Sequence, residues 1–158
     1  MKLSELIKQK HFASPAHEAM LNVVVTSSWA MNELAATMAP HGITPAQYNV
    51  LRILHGSHPE KLTCTDVGER LLDRTPDVTR LLGRLERSGL IHRARAEHDR
   101  RVVEVGVTEK GVALLERMRC DVDAAQARCM KHLSEEEQHT LSRLLERMRT
   151  GQCAREEA

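Results

Sequence analysis

Nine arginines fall between Arg70 and Arg101, at positions 70, 74, 80, 84, 87, 93, 95, 100 and 101, against five acids (Asp73, Asp77, Glu86, Glu97 and Asp99). The segment carries +4 in a chain whose total is +1; the other 14 basic and 17 acidic residues leave −3. A local patch, not the whole-chain sum, sets attraction to phosphate. Every positive charge in the segment is arginine, whose planar fork suits two-point contact with phosphate and with guanine. Taken singly, each is an ordinary solvated side chain; clustered, they form a surface for a polyanion. Phe12, Trp29 and Tyr48 are the only aromatic residues. Single-strand and RNA readers stack bases on several rings, and the basic segment has none. Duplex DNA is therefore the expected target.

Other chemistries find little support. Cys64, Cys120, Cys129 and Cys153 are scattered, without a CxxC pair, so reduced thiols in the cytoplasm are expected rather than a disulfide framework. Cys129 and His132 share a helical face, but two ligands do not make a metal site; no metal and no cofactor is expected. The sequence holds no glycine-rich phosphate loop, no GxSxG and no HExxH, which argues against an enzyme. Paired acids at Glu135–Glu137 are explained by helix capping. No run of about 18 apolar residues exists to cross a membrane, and the opening MKLSELIKQKHFAS lacks a signal-peptide core. A cytoplasmic single domain over 1–158 is expected.

The elements that must carry the arginines follow from periodicity and punctuation. A long helix is expected from about His17 to Met38, with Met20, Val24, Met31, Leu34, Ala35 and Met38 near one stripe. Thr44-Pro45-Ala46-Gln47 starts a second helix with a capping box; Lys61–Thr63 reads as a short strand. A third helix capped by Thr63 has Val67, Leu71 and Leu72 on its apolar side. Thr75 as cap and Pro76 at the first position start a fourth helix, which stops at Ser88-Gly89. Val78, Leu81, Leu82 and Leu85 form its buried stripe, while Asp77, Arg80, Arg84 and Arg87 lie about 130° away. Leu90–Arg95 and Arg101–Val107 alternate as two strands around a tip at 96–100. Thr108 caps a helix running to about Lys131, and Ser134 opens a last helix with Leu141, Leu144, Leu145 and Met148. The fold class is mainly α with a small β-hairpin wing. The outer helices carry more apolar surface than the centre can cover, so a two-fold homodimer is expected.

Three ordered motifs resemble the MarR (multiple-antibiotic-resistance regulator) family of winged-helix transcription factors. Asp99-Arg100-Arg101, Val102–Val105 and Val107-Thr108-Glu109-Lys110-Gly111 are similar to its DxR, β-rich and LTxKG run. Thr79–Glu86 with Gly89-Leu90 resembles its recognition helix and exit, and Thr44–Tyr48 its second-helix entry. The resemblance implies a winged helix-turn-helix at about 43–108 between dimerisation helices at about 1–40 and 109–150. It implies a homodimeric repressor on a pseudo-palindromic operator. Thr75, Asp77, Thr79, Arg80 and Arg84 would contact bases and phosphates in the major groove. Arg101, oriented by a salt bridge from Asp99, would enter the minor groove, with Arg93, Arg95 and Arg100 on phosphates.

The resemblance further implies release by a small anionic or phenolic ligand between the dimerisation helices and the winged module, where Trp29, His41, Arg52 and His55 supply aromatic and polar groups. Two readings compete: a ligand-independent DNA-architectural protein, and a redox-responsive regulator acting through a cysteine. The second departs from the family pattern, since no cysteine precedes Cys64.

Overall fold

The computed structural model describes residues 2–73, 77–96, 99 and 101–150. By internal packing the chain divides into two units, 1–122 and 123–158. The first unit opens with a short helix α1 (Leu3–Leu6), which the periodicity did not mark, and a long α2 (Pro15–Met38). Ser14 starts α2 by accepting from the His17 amide at 3.1 Å, with Pro15 at the first helical position. A 3₁₀ turn (Ala39–His41) ends at Gly42 in the left-handed region, φ 72°.

Helix α3 (Pro45–Ser57) begins where Thr44 and Gln47 cap each other reciprocally, at 2.9 and 3.3 Å. Strand β1 (Leu62–Thr63) runs into α4 (Cys64–Arg70), again through a capping box, Thr63 with Asp66. Hydrogen bonds from the Thr63 amide and hydroxyl hold the Asp66 carboxyl below the usual carboxylate range. Helix α5 (Val78–Arg87) follows, then β2 (Ile91–Arg95), β3 (Val103–Val107) and α6 (Glu109–Met130).

Two expectations on α4 change. The helix stops at Arg70, so Leu71 is buried just beyond it, while Leu72, expected on the apolar side, is 91% exposed. The helical phase that would have turned Leu72 inward is no longer running there. The Leu72 amide instead donates to Asn49 Oδ1 on α3 at 3.0 Å, which anchors the turn.

The ribbon also has a third member. The sheet order is β1-β3-β2, all antiparallel, with Leu62 opposite Val105 and Arg93 opposite Val105 on the other side. Val105 and Val107 face the core, but Val103, which shares their face by strand alternation, is 38% exposed near the wing tip. There the ribbon has run past the helices that cover its other end. The core gathers Val50, Leu51 and Leu54 of α3, Val67 of α4, Leu82 and Leu85 of α5, Val105 of β3 and Met118 of α6. Burial of this kind contributes about 1.5–3 kcal/mol per large side chain before ordering costs.

The entry to α6 explains a glycine. Thr108 Oγ1 accepts from the Gly111 amide at 3.1 Å, and a Cβ at Gly111 would stand 2.3 Å from the Leu90 carbonyl oxygen. Backbone meets backbone, so a side chain has no room.

The second unit holds the end of α6 and helix α7 (Glu135–Arg149), capped by Ser134 with Glu137 as expected. Bonds from the Ser134 amide and hydroxyl lower the Glu137 pKa. Leu141, Leu144 and Met148 are exposed along it.

Gly111→Ala should destabilise the protein by about 1–3 kcal/mol through overpacking, read as a lower urea midpoint. An unchanged midpoint would contradict the close approach described.

Candidate nucleic-acid interface

Helix α5 has two faces of opposite character. Leu81, Leu82 and Leu85 are buried, which turns Thr79, Arg80, Arg84 and Arg87 outward, all exposed. Three leucines inside and three arginines outside fix the rotation of a ten-residue helix. Arg80 and Arg84, four residues apart, share one face and stand free to meet an anion.

The start of α5 differs from expectation. Asp77, not Thr75, is the N-cap: its Oδ1 accepts from the Arg80 amide at 3.0 Å, and the first helical residue is Val78. A carboxylate there also complements the positive end of the helix dipole. Asp77 therefore commits one oxygen to the fold rather than to DNA. Thr75, with Arg74 and Pro76, lies outside the described residues.

At the wing, Arg95 and Arg101 are exposed, and Asp99 shapes the tip. Its Oδ1 accepts from the Arg101 backbone amide at 2.8 Å, and its carbonyl accepts from the Val102 amide at 3.0 Å. The expected Asp99–Arg101 salt bridge is thus a side-chain-to-backbone bond instead. It sets the direction of the chain at Arg101 and leaves the guanidinium free of Asp99. Arg100 lies outside the described residues.

Arg93, expected on a phosphate, is occupied. Its Nε donates to Glu86 Oε2 at 2.8 Å, and its Nη2 donates to the same oxygen. The hydrogen bond from Arg93 holds the Glu86 carboxyl below its ordinary range, and the carboxylate raises the Arg93 pKa in return. The pair joins α5 to β2, so Arg93 fixes the angle between helix and wing. A separation of seven residues across a turn left Glu86 without a sequence signal.

The C-terminal end of α5 is bound with equal care. Gly89, φ 73°, lets the Leu90 amide reach the Leu85 carbonyl (3.0 Å) and the Gly89 amide reach that of Glu86 (2.8 Å), a Schellman stop. Three further carbonyls accept from the start of α6: Ser88 from Lys110 Nζ (2.7 Å), Gly89 from Thr108 Oγ1 (2.8 Å) and Leu90 from the Thr108 amide (3.1 Å).

The four residues expected around a ligand are not brought together. His41 is 14% exposed, with Nε2 2.8 Å from Asp121 Oδ2. It lines a pocket of about 250 Å³ with Gln47, Arg84, Ser88, Lys110 and Arg117. Trp29, Arg52 and His55 are exposed on α2 and α3, and none of them lines this pocket. The meeting of Arg84 with Lys110 and Arg117 at this pocket has no signal in the sequence, because α5 and α6 converge only in three dimensions. Among the described residues no group of three or more His, Cys, Asp or Glu could hold a metal ion.

Two short helices joined by a turn, the second with a free basic face and a ribbon beyond it, define the winged helix-turn-helix class. Residues 41–102 match the sequence profile of the MarR family. The HTH-type transcriptional repressor MdtR of Bacillus subtilis (strain 168) is 36% identical over 107 residues, 66% of either chain. A MarR transcription factor from Planctomyces limnophilus is 34% identical in its crystal structure, with a TM-score of 0.68 over 86% of this chain and 98% of that one. MepR of S. aureus, in its crystal structure with DNA, is 27% identical, with a TM-score of 0.75 over 84% of this chain and 96% of its own. The chain belongs to the MarR family and is a transcriptional regulator, not an enzyme.

Replacing Glu86 by Gln should loosen the wing, measured as faster amide exchange across β2 with α3 unchanged. Because the folded-state pKa of Glu86 is lowered, the clamp is complete at neutral pH and is lost as pH falls through that lowered value. The wild-type wing should therefore lose protection in acid, relative to the intrinsic exchange rate at each pH, and the variant should lack that step. Equal exchange in both proteins would contradict the clamp.

Proposed function

We propose that the protein is a homodimeric repressor that binds a pseudo-palindromic operator, with one α5 in the major groove and one wing tip at the minor groove from each protomer. The observation that carries this is the outward basic face of α5, with Thr79, Arg80 and Arg84 free while the leucine stripe is buried. Exposed Arg95 and Arg101 on the wing supply a second point of contact. Base contacts specify and phosphate contacts position. Arg80 and Arg84 do the first, Arg95 and Arg101 the second.

Dimerisation rests on uncovered apolar side chains. Met20, Val24 and Met31 lie along α2 at helical spacing with Trp29 beside them; Leu141, Leu144 and Met148 do the same along α7. A second copy buries both. Two α5 helices then meet successive turns of the duplex, about 34 Å apart. No helix among the described residues is long and apolar enough to cross a membrane, which accords with a cytoplasmic protein acting on chromosomal DNA. MepR and MarR have been crystallised with DNA, and this chain resembles both.

Release by a small anionic or phenolic ligand is part of the same reading. The pocket that His41 lines brings together the cationic side chains of Arg84, Lys110 and Arg117, and its size restricts an occupant to about a single ring. Arg84 belongs to both pocket and reading face, so an anion drawn to it competes with DNA.

Operator selected from random DNA tests the placement. Arg101→Ala should weaken binding to all sequences alike and lower the salt slope by about one. Arg80→Ala should relax preference at one base position, worth about 1–3 kcal/mol of discrimination. Unchanged slope and preference in both variants would overturn it. Single-ring carboxylates and phenols titrated onto the operator complex should release the wild type but not Arg117→Ala; equal release of both would remove the pocket from the account.

A further inference from the structure

We infer that Lys110 is a positioning residue for DNA reading, whose ammonium fixes the C-terminal end of α5 to the first turn of α6 without touching DNA. This rests on α5 being the reading helix.

The Lys110 side chain reaches back 22 positions to the Ser88 carbonyl, 2.7 Å from Nζ. Its stem lies along Gly89, where an added Cβ would sit 3.8 Å from Nζ and 3.9 Å from Cδ. The end of a helix carries unpartnered carbonyls and a partial negative charge, which a cation complements. In α5 the Schellman turn satisfies the carbonyls of Leu85 and Glu86. Ser88 is the C-cap, and its carbonyl accepts from Lys110.

The two ends of α5 are held differently. At the N-terminal end Asp77 bonds within its own helix, to the Arg80 amide. Such a bond preserves the helix but ties it to nothing else. At the C-terminal end Lys110 and Thr108 bond across to Ser88, Gly89 and Leu90. That end is the polar mount of the helix, whose other end packs Val78 beside Gly68 of α4. A ten-residue helix is about 15 Å long, so a tilt of a few degrees at the mount moves the far end by about 1 Å. A hydrogen-bonded base contact does not survive such a shift.

Lys110 differs from the other residues at this joint. Thr108 bonds partly through its backbone, and Gly111 acts by having no side chain. Lys110 acts through one charged side chain on an exposed surface, which can be removed with the core left intact.

The test compares wild type, Lys110→Met and Lys110→Arg on selected operator DNA. Methionine keeps the stem over Gly89 and removes the donor; arginine restores a cationic donor. Lys110→Met should bind operator roughly tenfold more weakly with an unchanged salt slope, a smaller operator-to-random ratio and faster amide exchange at Ser88–Leu90. Lys110→Arg should recover most of the affinity. A salt slope lower by about one would make Lys110 a phosphate contact and overturn the inference. So would a lower melting temperature with operator affinity intact, or failure of arginine to rescue. A wild type that binds no operator would instead sink the functional reading, so the two failures are distinct.

Discussion

The burial of Leu81, Leu82 and Leu85 on one side of α5 governs what the surface of this protein can do. The helix is amphipathic enough that a single rotation satisfies it, and that rotation sends Arg80, Arg84 and Arg87 to solvent. Turning the helix to hide the arginines would cost their hydration and expose the leucines as well. The basic face is thus a consequence of core packing. Everything that touches α5 either serves that packing or fixes the angle at which the face is presented.

Three attachments set the angle. Glu86 joins the outward side to the wing through Arg93, the last turn is bonded to Thr108 and Lys110, and Asn49 anchors the turn that precedes the helix. Each is polar and joins separate elements, across seven residues at Glu86, 22 at Lys110 and 23 at Asn49. The leucines decide which face looks out; these bonds decide where it points. A regulator must hold two such faces in a fixed relation to read two half-sites, which is why so many side chains serve orientation rather than contact. Arg93 shows the division of labour: it has the charge of a DNA ligand and works as a strut.

Legibility in the sequence followed the range of the interaction. The caps at Thr44, Thr63 and Ser134 were readable because donor and acceptor lie three residues apart, although the reciprocal partner of Thr63, Asp66, emerged only in the structure. The leucine stripe and the alternation of Val105 and Val107 were readable from period alone. At Thr75-Pro76-Asp77 two residues able to cap lie two apart, and nothing local ranks them; the structure uses Asp77. Leu72 was misplaced because the helical pattern continued on paper after α4 had ended at Arg70. Lys61–Thr63 had the look of a strand, but its partner, β3, lies some forty positions away. Glu86, Lys110 and Arg117 were invisible as functional groups for the same reason. The joint and the pocket exist only after α5 and α6 have met.

The most direct measurement is a hydroxyl-radical footprint of the protein on DNA selected from a random pool. Two symmetric protected tracts about one helical turn apart, lost when half a turn is inserted between the half-sites, are the expected result. A single tract bound by one subunit, or uniform protection without phase, would contradict a pair of outward α5 faces held at fixed separation.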